Sequence, residues 1–278
     1  MTRPVDAVIE FLQAEQARGV SHIMLDEGAR EGLRGLVRRT RPAASSQAAT
    51  PTAAEPKPIE VPSTVTAEGS SKAERLASLR QQAETWQPAR ALGTLRETMV
   101  FATGNPDARI MLVGEAPGYE EERKREPFVG PAGQKLTDIL KAMGLARDEV
   151  YISNIVKFRP ATPRQTTNNR KPSTEEMASC LPFIRAEVEI VRPECIIALG
   201  GTAAEGLLGS AASVGSLRGS WHDFGGVPLR VTYHPSYLLR SSADHATKRQ
   251  VWEDMLAVME KLGMPITEKQ RGFFIAKG

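Results

Sequence analysis

Short apolar runs alternate with amphipathic segments along most of the chain after residue 100, and this alternation is the main signal of its fold. The most continuous run, 110–113, contains no polar residue, which is typical of a strand buried on both faces of a parallel sheet. The Gly114–Gly118 stretch that follows ends this strand in a tight turn. Comparable runs predict three more strands, at 150–153, 195–199 and 229–233.

The segments between these strands have helical spacing. One begins at Pro131, carries apolar residues at i, i+3, i+4 and i+7, and ends at Gly144. Another begins with a capping box of Ser173 and Glu176, and Pro182 should bend it or split it in two. Strands that alternate with helices favour right-handed crossovers. We therefore predict an α/β fold with three layers, α/β/α, around a central four-stranded parallel sheet.

The chain before this region has a different composition. Apolar patches within residues 1–40 predict a small helical segment. Residues 41–71 are rich in Pro, Ala, Ser and Thr and contain no aromatic residue, so they bury too little apolar surface to offset their ordering entropy. We predict a disordered linker there, followed by one folded domain over 72–278.

Composition narrows the class of protein. Hydrophobic residues make up 41% and charged residues 25% of the 278 positions, as in soluble globular proteins. No apolar run approaches the roughly 20 residues of a membrane span, and the amino terminus lacks the apolar segment of a signal peptide, so we expect a cytoplasmic protein. The net charge is only +3, so a polyanion site must come from local clusters of Lys and Arg. The two cysteines, Cys180 and Cys195, are too few for a disulfide framework or a four-thiolate site.

Polar or glycine residues follow each of the predicted strands. Glu115, Asn154, the Gly200–Gly201 pair and His234 stand at the ends of the four strands in turn. Because the carboxyl ends of parallel strands meet at one edge of a sheet, these residues should converge in a single crevice. Phe128 and the neighbouring basic loops are placed to close over it. The sequence therefore predicts a ligand site at this edge.

Four motifs in this region resemble those of the uracil-DNA glycosylase superfamily, and most closely its family-four type. They are Gly-Glu-Ala-Pro-Gly at 114–118, Pro-Phe-Val-Gly at 127–130, Tyr-Ile-Ser-Asn at 151–154 with Lys157, and His-Pro-Ser-Tyr-Leu-Leu-Arg at 234–240. The resemblance covers about residues 86 to 263. It implies a monofunctional DNA repair enzyme that flips uracil out of DNA and hydrolyses its N-glycosidic bond, with water as the nucleophile.

The resemblance also implies roles for the catalytic residues. Glu115 would orient or activate water and support the positive charge on the sugar, and His234 would donate a hydrogen bond to uracil O2. The Asn154 amide can accept from N3–H and donate to O4, which is the complement of uracil. Ala116 occupies a position where better-known relatives have Asp. Glu121 would crowd the methyl group of thymine.

The remaining expected contacts are with the extruded base and with DNA. Phe128 would stack on the base, as base-flipping enzymes require. The residues expected to contact DNA are Gly130, Lys157, Gly200, Gly201, Ser236, Leu238 and Arg240. Uracil-containing DNA is the expected partner, and we expect a monomer associated with the nucleoid. Two alternatives remain open, a glycosylase for another deaminated base such as hypoxanthine or xanthine, and a non-catalytic protein that binds damaged or single-stranded DNA.

The family-four type usually carries an iron–sulfur cluster held by four cysteines. Here the corresponding positions are Gln87, Arg90, Phe158 and Cys180. Since thiolates are the ligands of such clusters, we predict that the cluster is absent and that the protein has no metal cofactor. We expect apolar contacts around Trp86 and Phe158 to form a local core instead.

Overall fold

A six-stranded sheet forms the centre of the described part of the protein. The computed structural model describes residues 61–239 and 245–275. The strands are β1 Leu95–Met99, β2 Thr103–Gly104, β3 Ile110–Gly114, β4 Tyr151–Asn154, β5 Phe158–Pro160, β6 Cys195–Leu199, β7 Trp221–Phe224 and β8 Val227–Thr232. The α-helices are α1 Lys72–Glu84, α2 Gln87–Arg90, α3 Tyr119–Lys124, α4 Pro131–Met143, α5 Thr174–Val191, α6 Gly201–Leu208, α7 Val214–Leu217, α8 His245–Lys261 and α9 Glu268–Arg271. Short 3₁₀ helices span Arg147–Glu149 and Pro235–Leu239.

The strand order of this sheet is β2-β4-β3-β6-β8-β7, and its four inner strands are parallel. The predicted four-stranded parallel sheet is therefore confirmed as the centre of the sheet. The hydrophobic pattern does not reveal β2 and β7, which pair antiparallel at the two edges. β2 has only two residues, and β7 has two polar residues between two aromatic ones instead of an apolar run. β1 and β5 form a separate antiparallel pair.

Helices cover both faces of the sheet. One face packs against α1, α5 and α6, with Leu79 and Phe183 among the buried side chains. The opposite face packs against α4 and α8, with Leu140 and Trp252 among the buried side chains. Alternate residues of β3 belong to the two clusters, as expected for a strand covered on both sides. The predicted three-layer α/β/α architecture is confirmed.

Helix α5 begins at the predicted capping box. The Ser173 hydroxyl accepts a hydrogen bond from the backbone N–H of Glu176, whose carboxylate accepts one from the backbone N–H of Ser173. The helix then continues through Pro182, so of the two predicted effects, a bend or a split, the split does not occur. Pro182 removes one backbone hydrogen bond. Most of the helix is buried against the sheet and α1, and this tertiary contact keeps the helix continuous.

The chain that precedes α1 is described from residue 61. Val65 and Ala67 pack against the hydrophobic core, and the carbonyl oxygen of Thr66 accepts a hydrogen bond from Gln82 Nε2 at 2.6 Å. The predicted helical segment 1–40 and the predicted linker up to residue 60 lie outside the described residues. No helix within the described ranges is both long and apolar enough to cross a membrane.

Lys157 is fully buried, so the expectation that it contacts DNA is wrong. Its ammonium group forms an ion pair with the buried Glu187 carboxylate and donates a hydrogen bond to Ser153 Oγ at 2.6 Å. It also lies 5.1 Å from the centroid of the Phe101 ring. A side chain with no exposed surface cannot reach a phosphate, and Lys157 instead connects β4 with α5.

Replacing Lys157 should therefore affect folding directly. We expect Lys157→Ala to lower the free energy of unfolding by about 3–5 kcal/mol, because it leaves the Glu187 carboxylate buried without a counter-charge. Urea unfolding measures this change. The double variant Lys157→Met/Glu187→Leu removes both charges and should recover most of the loss. A loss below about 1 kcal/mol in the single variant, the range of exposed pairs, would contradict the buried ion pair.

Candidate active site

A cavity of about 700 Å³ opens at the carboxyl edge of the parallel strands. The predicted site residues that line it are Glu115, Ala116, Glu121, Phe128, Asn154, Gly200, Gly201, His234 and Ser236. The prediction that a carboxylate, an amide and an imidazole meet in one crevice is therefore confirmed. The strand ends bring them together, because β3, β4, β6 and β8 all point toward this edge.

Asn154 is the last residue of β4 and is 2% exposed. It lies beside Gly114, its register partner at the end of β3. A Cβ atom on Gly114 would lie 2.3 Å from Asn154 Oδ1 and 2.5 Å from Cζ of Phe128. Real Cβ atoms do not approach other atoms so closely, so the missing side chain of Gly114 lets the amide and the aromatic ring share this corner of the cavity.

Phe128 owes its position to an unusual backbone conformation. Its φ of 56° lies in the left-handed region that side chains rarely adopt. Its carbonyl oxygen lies 1.8 Å from where a Cβ of Gly133 would be, so the first turn of α4 can approach only because residue 133 is glycine. The Phe128 ring lines the cavity with its centroid 5.7 Å from that of the His234 ring, at 34° to it.

His234 follows β8, and its ring is held by Ser236. The Nδ1 atom lies 2.7 Å from Ser236 Oγ and accepts a hydrogen bond from the Ser236 backbone N–H at 3.2 Å. Because Nδ1 acts as an acceptor, the proton of a neutral ring must be on Nε2. Burial lowers the pKa of the His234 imidazole to about 4, although the nearby Glu121 carboxylate opposes this shift. The ring is therefore neutral at physiological pH, with Nε2–H as its donor.

Glu115 lies directly after β3 and is partly buried in the cavity wall. Burial raises the pKa of its carboxyl group above the ordinary value. A hydrogen bond with Thr202 and the positive charge of Lys171 oppose this shift. Thr202 and Lys171 thus favour the carboxylate form of Glu115. Lys171 belongs to one of the basic loops that were expected to close over the crevice, whereas sequence reasoning did not single out Thr202.

Glu121 projects from helix α3 into the cavity. Its Oε1 accepts hydrogen bonds from the backbone N–H groups of Val129 at 3.0 Å and Gly130 at 2.8 Å. The Gly130 N–H is therefore already used within the protein, and the expected contact of Gly130 with DNA stays a prediction. The same holds for Gly200, whose N–H donates to the carbonyl oxygen of Thr232 at 2.9 Å.

Only some of the other residues expected to contact DNA lie at the cavity. Gly201 and Ser236 line the cavity. Leu238 lies outside it and lines a neighbouring groove of about 330 Å³ with Trp252. Arg240 lies outside the described residues. The basic loop before α5 reaches the cavity as expected, through Arg170 and Lys171. Sequence reasoning missed Asn169 of the same loop, which also lines the cavity.

The positions that the resemblance assigns to iron–sulfur ligands do not fit such a cluster. The Arg90 guanidinium lies 5.3 Å from the centroid of the Phe158 ring, and its Nε donates a hydrogen bond to the carbonyl oxygen of Glu84 at 2.8 Å. Phe158 and Cys180 are both in the hydrophobic core, and burial raises the pKa of the Cys180 thiol. Among the described residues, no group of three or more His, Cys, Asp or Glu side chains could hold a metal ion.

The expected local core is present around these positions. Trp86 packs edge-on against Phe183 with a centroid distance of 5.0 Å, and its indole N–H donates to the carbonyl oxygen of Ser179 at 2.6 Å. The core thus combines apolar contacts with one guanidinium, which the sequence prediction did not include.

Comparison with known proteins identifies the superfamily of the chain. A sequence model of the Uracil DNA glycosylase superfamily matches residues 101–256, more than half of the chain, and the protein belongs to this superfamily. The chain is 44% identical to the type-4 uracil-DNA glycosylase of Thermotoga maritima over 162 residues, which are 58% of this chain and 81% of that protein. It is 36% identical to the type-4 enzyme of Saccharolobus solfataricus over 186 residues, covering 63% and 82%. A type-5 enzyme of Pyrobaculum aerophilum is 33% identical over 152 residues, covering 49% and 64%.

The ring of His234 should remain neutral well below the pH at which histidine normally gains a proton. NMR should show His234 titrating near pH 4, whereas histidine in an unfolded chain titrates at about 6.5. Between these values the unfolded chain binds a proton that the folded site does not, so the free energy of unfolding should fall as the pH drops from about 6.5 toward 4. A His234→Asn variant should lack this part of the pH dependence. A midpoint above about 6 would contradict a buried, neutral ring.

Proposed function

We propose that the protein is a monofunctional uracil-DNA glycosylase, which flips uracil out of DNA and hydrolyses its N-glycosidic bond to leave an abasic site. The observation that carries this proposal is that Glu115, Asn154 and His234 line one cavity, in a chain of the uracil DNA glycosylase superfamily. Breaking the bond creates positive charge on the sugar and negative charge on the base. The carboxylate and the N–H donor of the site match these two charges.

Asn154 reads the base in this mechanism. Its amide oxygen accepts from uracil N3–H and its amide nitrogen donates to O4. Cytosine has the reverse pattern at both atoms and would leave polar groups unpaired, at a cost of about 1–3 kcal/mol for each. Because Asn154 is almost fully buried, water cannot readily compensate these groups.

His234 stabilises the leaving base. Ser236 occupies Nδ1, so Nε2–H is the group that can donate to uracil O2 as negative charge develops there. A neutral imidazole can donate this hydrogen bond, so His234 does not need to be protonated at both ring nitrogens. The low pKa of His234 supports a neutral ring that keeps its Nε2 proton throughout the reaction and acts only as a hydrogen-bond donor.

Glu115 acts on the opposite charge. Its carboxylate orients the water that attacks the sugar carbon, accepts a proton from that water, and stabilises the oxocarbenium-like sugar. The base leaves with the electron pair of the broken bond. Because Ala116 occupies the neighbouring position, that position supplies no second acid to assist Glu115.

The remaining cavity residues give specificity and contact DNA. Phe128 stacks on the extruded base. Glu121, fixed by two backbone donors, forms the wall that crowds the methyl group of thymine. Gly201 and Ser236 are placed at the cavity to approach phosphates, and Leu238 fills the stack that the base vacates, with Arg240 as a further DNA contact.

The proposed setting follows from the substrate. We expect the protein to act as a monomer on uracil-containing DNA in the cytoplasm, in association with the nucleoid. We also propose that it works without an iron–sulfur cluster, because the Arg90–Phe158 contact and a buried thiol occupy the corresponding positions.

An excision assay on duplex DNA tests the proposed function. The wild-type protein should release uracil, and Asn154→Ala and His234→Ala should each lower the single-turnover rate by about 10²–10³-fold while still binding DNA. Asn105→Ala and His222→Ala change the same residue types outside the cavity and should retain full activity.

The same assay separates the alternative functions. Duplexes that carry hypoxanthine or xanthine in place of uracil identify a glycosylase for another deaminated base. If the protein releases one of these bases but leaves uracil in place, the specificity assigned to Asn154 is wrong. If it binds DNA but releases no base, it is a binding protein and the proposed reaction is wrong.

Metal analysis tests the proposed absence of the cluster. Protein purified without exposure to oxygen should contain no iron, and prolonged incubation with a chelator should leave both its excision rate and its melting temperature unchanged. The reason is that only one of the four positions carries a thiol, whereas such clusters require several thiolates. Iron in stoichiometric amount, lost together with activity in chelator, would overturn this part of the proposal.

A further inference from the structure

The loop between β5 and α5, residues 161–171, ends at the cavity. Asn169, Arg170 and Lys171 belong to the cavity wall, yet the loop contains no helix or strand of its own. Its position must therefore come from side-chain contacts. The central contact is made by Arg159 of β5, whose guanidinium is 1% exposed and does not line the cavity.

Arg159 donates hydrogen bonds in several directions. Its Nη2 atom donates to the carbonyl oxygens of Thr166 at 2.8 Å and Asn168 at 2.7 Å. Its Nε donates to Asn169 Oδ1 at 2.9 Å, and its Nη1 donates to Glu122 Oε2 at 3.0 Å. One buried side chain thus joins the loop to helix α3, which also carries the cavity residue Glu121.

We propose that Arg159 and Glu122 form a clamp that positions this loop for catalysis, with Arg159 as a positioning residue that acts through the loop. The inference rests on the proposed function, because it concerns the same cavity. A guanidinium carries five N–H donors on three nitrogens in a rigid plane and can reach four acceptors spread over the loop and α3, whereas the three donors of lysine share one nitrogen. Glu122 supplies the counter-charge that a buried guanidinium requires.

The clamp also fixes one cavity side chain directly. Because Asn169 Oδ1 accepts from Arg159, the orientation of the Asn169 amide is set by the clamp. Arg170 holds the base of the same loop through Glu176, with Nη2 of Arg170 2.6 Å from Oε1 of Glu176. Loss of Arg159 should therefore release the centre of the loop while its base stays attached.

Arg96 provides a matched control. Its Nε donates to Glu122 Oε1 at 3.0 Å, so it contacts the same carboxylate as Arg159. Its side chain is 48% exposed and contacts Glu122 instead of the loop. Arg96→Ala should therefore leave both the loop and the excision rate unchanged, as is usual for an exposed ion pair.

The test compares Arg159→Lys with the wild type in single-turnover excision of uracil and in limited digestion with trypsin. We expect the maximal rate to fall about 100-fold, because misplaced cavity groups lose their alignment, while the half-saturating DNA concentration changes by less than about threefold. Cleavage after the exposed Arg164 should accelerate about tenfold, since that residue lies in the released loop. If Arg159→Lys does not fold, Glu122→Gln keeps Arg159 and should show the same changes to a smaller degree.

The outcomes distinguish a positioning role of Arg159 from a role in overall stability, and failure of the clamp from failure of the proposed function. An unchanged excision rate overturns the clamp. So does a lower rate accompanied by a lower melting temperature with unchanged cleavage after Arg164. If the wild-type protein releases no uracil, the proposed function fails, and the trypsin comparison still decides whether Arg159 holds the loop.

Discussion

The site depends on the close approach of two parallel strands at their last residues. Gly114 and Asn154 are register partners, and the space that a side chain on Gly114 would occupy is filled by the Asn154 amide and the Phe128 ring. A pocket that reads the edge of a flat base and stacks on its face needs an amide and a ring at nearly the same place. Only glycine permits this without moving one of them. The Phe128 ring reaches this place from a left-handed backbone, and the Phe128 carbonyl oxygen in turn requires glycine at position 133.

Burial gives the two catalytic candidates opposite electrostatic problems. Removing water from Glu115 raises its pKa, and removing water from His234 lowers its pKa, so each group is pushed toward its neutral form. For the imidazole this is useful, because a neutral ring with Nε2–H is a sufficient donor. For the carboxylate it is not, and Thr202 and Lys171 provide the compensation. Within the same cavity, Glu115 therefore needs partners that stabilise its charged form, whereas His234 does not.

The sequence predicts those parts of the structure that patterns among neighbouring residues determine. Apolar runs identify the inner strands, and the shared direction of parallel strands places Glu115, Asn154 and His234 at one edge. Burial of charged groups could not be predicted in this way, because Lys157 finds its counter-charge at Glu187, on another element. Backbone donors pose a similar difficulty. Whether the N–H of a glycine is free for a phosphate depends on a carboxylate or carbonyl oxygen that only the tertiary structure brings to it.

Guanidinium groups hold irregular segments in three places in the described part of the chain, fully buried at Arg159 and partly buried at Arg90 and Arg170. Arg90 bridges the segments at the positions of the absent thiolates, and Arg159 and Arg170 hold the centre and the base of the loop at the cavity. An irregular segment exposes carbonyl oxygens in several directions, and a planar group with several donors can satisfy more than one of them at once. Such a group must also be neutralised, as Glu122 and Glu176 do for Arg159 and Arg170. The geometry of the cavity wall therefore depends in part on Arg159, a charged group that does not line the cavity. The motif residues account for the chemistry of the site but not for what holds its wall in place.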